Sequence, residues 1–301
     1  MGARSGSPLS RDRVSVVKAG EDIAAAVSRG VDLIGGLSLS GGERVIIKPN
    51  VCNARNPYGM VSTDLRIIEA VIELVRTRAG SVAVVESDNI SGPAERRMSE
   101  TGVLRRLDEL DVEFINLSRD EAESHEVAGV EIRLPRTVME ADCFVNLPKM
   151  KTCAHTLVTL SLKNLFGVLM RARKNRLHRH LDEILPYLAK VVRHDLIVVD
   201  GITAMEGNGP VIGTPRELGV IVAGLNPVAV DAVCTRIMGF DPAEIGHLAR
   251  AHEMGLGEID LDSIDLVGDD WRGLGRAFDR PYTLRATLRS IRSVGKAYLS
   301  Q

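Results

Sequence analysis

Short β-branched apolar runs alternate along this chain with longer stretches whose apolar residues recur at helical spacing. A strand covered on both faces is apolar at nearly every position, whereas a helix covering it is apolar on one stripe, so the alternation describes parallel strands buried between helices. Residues 14–18 read as a first strand and 21–33 as a helix, and the Gly-Gly pairs at 35–36 and 41–42 punctuate the loop before a second strand at 44–48. Asp64 is placed to cap a helix reaching about residue 78, with Ile67, Ile68, Val71, Ile72 and Val75 as its buried stripe. A buried strand at 81–86, a helical region at 93–110 and strands at 112–116, 130–134 and 143–147 follow, the last stopped by Pro148. Helices are predicted over 157–169, 181–192 and 227–238, and strands over 196–199 and 219–223. The expected architecture is α/β: one domain over residues 13–281, with a mixed, mostly parallel sheet and helices on both faces. A flexible leader over residues 1–12 would precede it and a basic tail helix over 282–301 would follow.

Composition narrows the function classes. With 45% hydrophobic and 26% charged residues over 301 positions the chain is an ordinary globular one, and a formal net charge of -2 gives no general electrostatic reason to expect nucleic acid or an anionic membrane as partner. The cysteines, Cys52, Cys143, Cys153 and Cys234, show no C-x-x-C spacing, which points to free thiols in a reducing compartment. No signal-like segment and no run of 18 apolar residues occurs, so a cytoplasmic location without membrane insertion is expected. A homodimer is an open option, since doubly wound sheets often pair, but no interface signature supports it. The tail carries Arg285, Arg289, Arg292 and Lys296 without an acid, and Leu284, Leu288, Ile291 and Val294 at helical spacing, so it reads as a docking helix, with a membrane or partner helix as the sharper alternative.

Chemistry gathers just past the C-terminal ends of the predicted strands, where open parallel sheets bind ligands. Lys48 and Asn50 follow the second strand, Glu86, Ser87 and Asp88 the third, Lys149 and Lys151 the strand ending near Leu147, and Asp200 the late strand. The most informative segment is NLPKMKTCAHTLVTLSLKNLFG, from Asn146 to Gly167. Lys149, Lys151, His155, Lys163 and Asn164 could all face one pocket, and on a helix over 157–169 Lys163 would sit on an otherwise apolar span, where an unpaired charge is costly to bury. The alternative is that Lys163 lays its stem along the core and puts its ammonium in water. For His155 a structural role stands beside a catalytic one.

Convergent ammonium groups hold carboxylate or phosphate through charge-assisted hydrogen bonds and stabilise developing negative charge. The run RARKNRLHRH, Arg171 to His180, has five Arg or Lys and two His without an acid, and reads as an anion-binding loop closing over the pocket or as a solvated loop. Nucleic acid is disfavoured because aromatics total only 3%, too few for stacking on bases. In DGITAMEGNGPVIGTP, Gly207 and Gly209 could bring backbone amides to a ligand, and Asp200, Glu206 and Asp231 could bind a divalent cation through oxygen, although ordinary caps and turns explain them equally. Neither a dinucleotide-binding nor a P-loop motif is present, and no organic cofactor is expected.

The stretches VIIKPNVC, VNLPKMKTCAHTLVTLSLKNLFGVL, RKNRLH, VVDGITAMEGNGPVIGTPRELGVIVAG and NPVAVDAVCTRIMGFDP span most of residues 44–257, and in them the chain resembles the domain-of-unknown-function 362 family. The resemblance implies an α/β fold and, in many members, ferredoxin-like cysteine clusters. This chain has no C-x-x-C-x-x-C run, so no [4Fe–4S] cluster is expected by that motif, and electron transfer loses its usual support. The positions matching the family's motifs are Lys48, Asn50, Lys149, Lys151, His155, Lys163, Asn164, His178, Asp200, Glu206 and Asp231.

The functional expectation is an enzyme acting on a small anionic metabolite, a carboxylate, phosphate or enolate. Lys48, Asn50, Lys149, Lys163, Asn164, His178, Gly207 and Gly209 would bind it, and Lys151, His155 and Asp200 would carry the chemistry. The alternative is a non-enzymatic ligand-binding, redox or metal accessory protein.

Overall fold

The structure is a computed structural model that describes residues 12–170, 174–274 and 277–299. The expected leader, apart from Asp12, and Arg171 and Arg173 of the basic run lie outside the described residues. The strands are β1 (Arg13–Lys18), β2 (Arg44–Pro49), β3 (Ser81–Glu86), β4 (Glu113–Asn116), β5 (Ala122–Val127), β6 (Val130–Pro135), β7 (Cys143–Leu147), β8 (Lys149–Cys153), β9 (Leu157–Thr159), β10 (Leu196–Glu206), β11 (Thr214–Gly224) and β12 (Asp265–Gly268). The helices are α1 (Ile23–Leu33), α2 (Leu65–Arg76), α3 (Ala94–Glu100), α4 (Val103–Glu109), α5 (Arg136–Met139), α6 (Ser161–Leu165), α7 (Leu181–Val191), α8 (Pro227–Ile237), α9 (Gly246–Glu253) and α10 (Leu284–Leu299).

Ten strands form one sheet in the order β12-β1-β11-β10-β7-β2-β3-β4, with β8 on β10 and β9 on β8. Most pairings are parallel, while β1 with β11, β10 with β11, and β8 with β9 are antiparallel. The mixed, mostly parallel sheet expected from the sequence is therefore present. Its strands separate two cores by simple alternation: Val45 and Ile47 join α1, α2 and α4 on one face, and Ile46 joins α7, α8 and α9 on the other. The stripe of α2 is fully buried, each aliphatic side chain contributing about 1.5–3 kcal/mol. Asp64 accepts the Arg66 amide as that helix's cap.

Several elements differ from expectation, each for a local reason. The helical region at 93–110 breaks at Gly102, whose φ of 80 no side chain adopts easily, into α3 and α4. The charged strand β5 escaped notice, and it pairs with β6 through Ala128 and Gly129, both at positive φ, as a two-residue hairpin turn requires. β12 was not anticipated either; it lies parallel to β1 at the sheet edge. β10 and β11 run well beyond the buried cores predicted for them and form a long hairpin whose turn is the glycine-rich segment.

The consequential difference falls at 157–169. Val158 and Thr159 are β-branched, and residues 157–159 pair with Lys151–Cys153 as a short hairpin instead of starting a helix. The helix begins only at Ser161, where Asp231 of α8 accepts the amides of Ser161 (2.8 Å) and Leu162 (2.9 Å) together with the Ser161 hydroxyl. Asp231 thus caps α6 from a distant element. Burial pushes its carboxyl up to about 7, against hydrogen bonds that favour the carboxylate.

Within the tail, α10 spans Leu284–Leu299. Ala286 and Ser290 are buried near Gly207, and Arg289 reaches Glu206 (3.2 Å) and Asp279 (3.0 Å). Among the described residues no helix is long and apolar enough to cross a membrane.

Candidate functional site

β7 and β8 are one strand line interrupted at Pro148, which has no amide to donate, and the Pro148 carbonyl instead accepts the Asp200 amide at 2.8 Å. Past this break Lys149 and Lys151, two residues apart on β8, meet different partners. Lys149 donates to the Asp200 carboxylate at 2.7 Å with both side chains fully buried. Asp200 also accepts the amides of Asp64 (2.7 Å) and Ile202 (3.0 Å), so it joins the start of α2 to the bulge in β10.

Lys151 faces a pocket at the C-terminal ends of β2 and β3. This cavity, about 270 Å³, is lined by Lys48, Asn50, Glu86, Lys151, Cys153, His155, Lys163, Asn164, Lys174 and His178, with Cys52, Phe166 and Pro210 among its apolar or sulfur-bearing walls. Four lysines meet a single carboxylate there. Lys48 donates to Glu86 and to the Pro49 carbonyl, both at 2.9 Å. Gly167 makes room for that pair, since a Cβ at this position would stand 2.6 Å from Lys48 Cε. Lys151 donates to Asn50 Oδ1 (2.8 Å), the Val61 carbonyl (2.6 Å) and Cys52 Sγ (3.2 Å), which uses all three of its protons. Lys174 donates to Ser87 Oγ (2.6 Å) and reaches the Phe166 carbonyl at 3.3 Å.

Lys163 is different. Its ammonium sits 4.3 Å from the centroid of Phe166 and has no hydrogen-bond acceptor among the described residues, while the residue remains partly exposed to the pocket. Desolvation, reinforced by Lys151, lowers its pKa. Burial likewise pushes Lys174 down to about 7, with Lys48, Arg97 and Lys163 adding to the effect against Glu86. His155 and His178 stack at 4.3 Å between centroids, and His178 stacks in turn on Phe166 at 5.4 Å. Loss of water, then the Lys163 and His155 charges, brings His178 down to about 4, so it is a neutral imidazole at pH 7.

Asparagines fix the floor. Asn50 Nδ2 donates to Asn164 Oδ1 (2.9 Å), Asn164 Nδ2 to Asn146 Oδ1 (2.7 Å), and Asn146 Nδ2 to the Ser161 carbonyl (3.1 Å). This chain ties β2, β7 and α6 together and holds Lys163 in place through its neighbour. Arg97, fully buried, donates to the carbonyls of Ser87 (2.6 Å), Gly92 and Val51, and so fixes the loops after β2 and β3.

The structure thus brings together Lys48, Asn50, Lys151, His155, Lys163, Asn164 and His178. It does not bring Lys149, Asp200, Gly207 or Gly209 onto the pocket wall: the first two neutralise each other in the interior, and the glycine amides are spent on backbone, Gly207 on Asp279 and Gly209 on Gly207. Gly209 is required for packing. A Cβ there would run into the Thr152 carbonyl oxygen, so Gly209→Ala should destabilise the fold by about 1–3 kcal/mol in urea unfolding. Unchanged stability would show that the turn can move away.

The cation site expected at Asp200, Glu206 and Asp231 is also corrected. Asp200 neutralises Lys149, Asp231 caps α6 and Glu206 meets Arg289, and among the described residues no three His, Cys, Asp or Glu form a group that could hold a metal ion. The sequence reading missed Lys174, Cys52, Cys153, Phe166 and Arg97 as site residues. A signal existed for Lys174 in the basic run and for Cys153 in the informative segment, but for Arg97 there was none, because a surface-like AERRMSE helix conceals a buried guanidinium.

A family model described as a domain of unknown function, DUF362, matches residues 45–236. The chain belongs to the DUF362 family. The matched span contains every residue named above on the pocket wall, so the pocket of this DUF362 protein lies wholly within the family's shared part. A thylakoid-associated protein of Synechocystis sp. is 31% identical over 245 residues, covering 77% of this chain and 76% of that one. Among solved structures, a Thermotoga maritima protein aligns with a TM-score of 0.44 at 12% identity, covering 74% of this chain and 61% of that one. A lactate racemase apoprotein from Thermoanaerobacterium thermosaccharolyticum aligns at 0.40 and 12%, covering 76% and 57%. The chain thus spans about three fifths of the length of these two solved structures.

Proposed function

We propose that this DUF362 protein is an enzyme acting on a small anionic metabolite, whose charged group occupies the acceptor position that Lys163 lacks. The observation that carries this reading is the pocket's charge: four lysines against Glu86, with the Lys163 ammonium alone among the four in having no acceptor among the described residues. An ammonium in a partly dry pocket gains more from an anion than it would in water. Lys151 and Asn50, already locked to each other, form a rigid wall against which the ligand packs. Neutral His178 and its stacked neighbour His155 sit where a proton can be exchanged with the bound molecule, and the depressed pKa of Lys163 suits it to give up a proton as charge develops. The role first expected of Asp200 passes to these groups. A reducing cytoplasm suits a chain whose four cysteines are free thiols.

The test is calorimetric titration with inorganic phosphate and with malonate as a small dicarboxylate. Saturable binding of one of them is expected, and Lys163→Met should weaken it about 10- to 100-fold, the equivalent of one charged hydrogen bond. The thermal midpoint should hardly change, because Lys163 makes no hydrogen bond among the described residues. Equal affinity in the variant would overturn the reading. Turnover of a member of this ligand class is expected in a proton-NMR screen, and ligands bound but always recovered unchanged would reduce the protein to a binding module.

A further inference from the structure

A hydrogen bond to a neutral acceptor satisfies an ammonium's protons without cancelling its charge, and a buried charge without a counter-charge is costly. Around this pocket the two conditions part. Lys48 has a counter-charge in Glu86 at 2.9 Å, and that carboxylate also accepts the Ser87 amide at 2.9 Å. Lys151 donates only to an amide oxygen, a carbonyl and a thiol, Lys174 only to the Ser87 hydroxyl and to carbonyls, and Arg97 only to carbonyls. All three are buried, and none has a carboxylate partner among the described residues. Asp88, the next acid in the chain, is taken by the Ala94 amide (2.8 Å) and Asn116 (2.9 Å). Ser87 ties two of the cations together, its carbonyl accepting from Arg97 and its hydroxyl from Lys174, both at 2.6 Å. Lys163 and Lys174 border one ring, with their nitrogens 4.3 and 6.0 Å from the Phe166 centroid. Even with Lys174, brought down to about 7 by burial, only half protonated at neutral pH, Lys151, Lys163 and Arg97 stand without a counter-charge among the described residues. A single negative group on Lys163 would leave most of this excess in place.

We propose that the ligand of this pocket is a short dicarboxylate, with one carboxylate on Lys163 and the other toward Lys174. The inference rests on the anion-binding reading of Lys163 and narrows it from anions in general to molecules carrying two separate negative groups. The two ammonium groups line the same cavity of about 270 Å³ and border the same ring, so they address one small molecule rather than two sites. The second carboxylate gains by charge even where the neighbouring ammonium protons are already engaged, because Coulomb attraction in a partly dry pocket extends over several ångströms. Lys151 and Arg97 add to that field through their charge alone. At an effective dielectric of about 20 the second negative group should tighten binding about 10- to 100-fold. A molecule of the same shape with one charge fewer forgoes that attraction, so charge is what the pocket selects.

Calorimetric titration of the intact protein with malonate and with malonamate, in which an amide replaces one carboxylate at nearly the same size, isolates the second charge. At neutral pH and in a buffer without phosphate, malonate should bind about 10- to 100-fold more tightly than malonamate. Lys174→Met should remove most of that preference while changing the malonamate affinity little. The comparison of ligands is made on the unaltered protein, so it stands whether or not the variant folds. Equal affinity for malonate and malonamate, or binding of inorganic phosphate alone, would overturn the dicarboxylate and leave the anion-binding reading standing. A full preference retained in folded Lys174→Met would overturn the placement of the second carboxylate. Failure of malonate, malonamate and phosphate alike to bind would overturn the inference together with the reading it rests on.

Discussion

Lys149→Met should lower the unfolding free energy by about 3–5 kcal/mol, the cost of leaving one partner of a buried ion pair uncompensated. Lys149 and Asp200 are both fully buried at 2.7 Å, and methionine fills the space of the lysine stem without its charge. The Asp200 carboxylate would keep only the Asp64 and Ile202 amides, two hydrogen bonds without a counter-charge. Adding Asp200→Asn should restore most of the loss, because asparagine removes the charge while its Oδ1 still accepts one of those amides. Urea unfolding of the two single variants and the double variant gives the coupling directly. A single-variant loss below about 1 kcal/mol, or additive losses, would mean that the pair does not organise the interior as described. The same experiment bears on function, since a variant of Asp200 that binds phosphate normally would place this residue outside the ligand's reach.

Acid should unfold this protein early, and His247 should be a principal cause. His247 on α9 is 1% exposed and its Nδ1 has no hydrogen-bond partner among the described residues. Burial first, and the Lys163 charge second, lower its pKa to about 3. Below the ordinary value of 6.5 the unfolded chain takes up a proton that the folded chain refuses. The stability contributed by the neutral imidazole is therefore complete above pH 6.5 and is lost as pH falls toward 3, at about 1.4 kcal/mol per unit. Asp231 acts in the opposite sense: its carboxyl, raised to about 7 from 3.8, contributes stability that is lost as pH rises through that range. Comparing the protein with His247→Leu cancels this and every other titration common to both. Between pH 6.5 and 4.5 the unmodified protein should lose about 2–3 kcal/mol more than the variant in urea unfolding. Parallel curves would show that His247 is protonated in the folded state.

The candidate site was legible to the extent that its residues follow strand ends. Lys48, Asn50 and Lys151 were found because they stand beyond buried apolar runs, where an open parallel sheet places its ligands. Lys149 passed the same test and failed in three dimensions, because Asp200 of the neighbouring β10 holds its ammonium in the interior at 2.7 Å, whereas the Lys151 ammonium reaches Asn50 and Cys52 on the pocket wall. The glycine-rich segment resembled a ligand-cradling loop, but Gly209 is glycine because the Thr152 carbonyl leaves no room for a side chain. Such a clash depends on a partner more than 50 residues away and has no local signature.

By itself the sequence determined the succession of elements and the class of the fold, since strand and helix periods, caps such as Asp64 and breaks such as Pro148 act within a few residues of one another. It also determined that cationic and imidazole side chains would gather near one sheet edge. Tertiary structure alone decided which of them meet. A short apolar run such as 157–159 can be either strand or helix, and it became a strand because β8 was there to pair with, while Asp231 from α8 set where the helix could begin. Likewise Lys163 is left without an acceptor among the described residues, and four lysines meet Glu86 in one pocket, only because β2, β8, α6 and the 174–180 segment converge, and convergence over more than a hundred residues is a property of the packed chain.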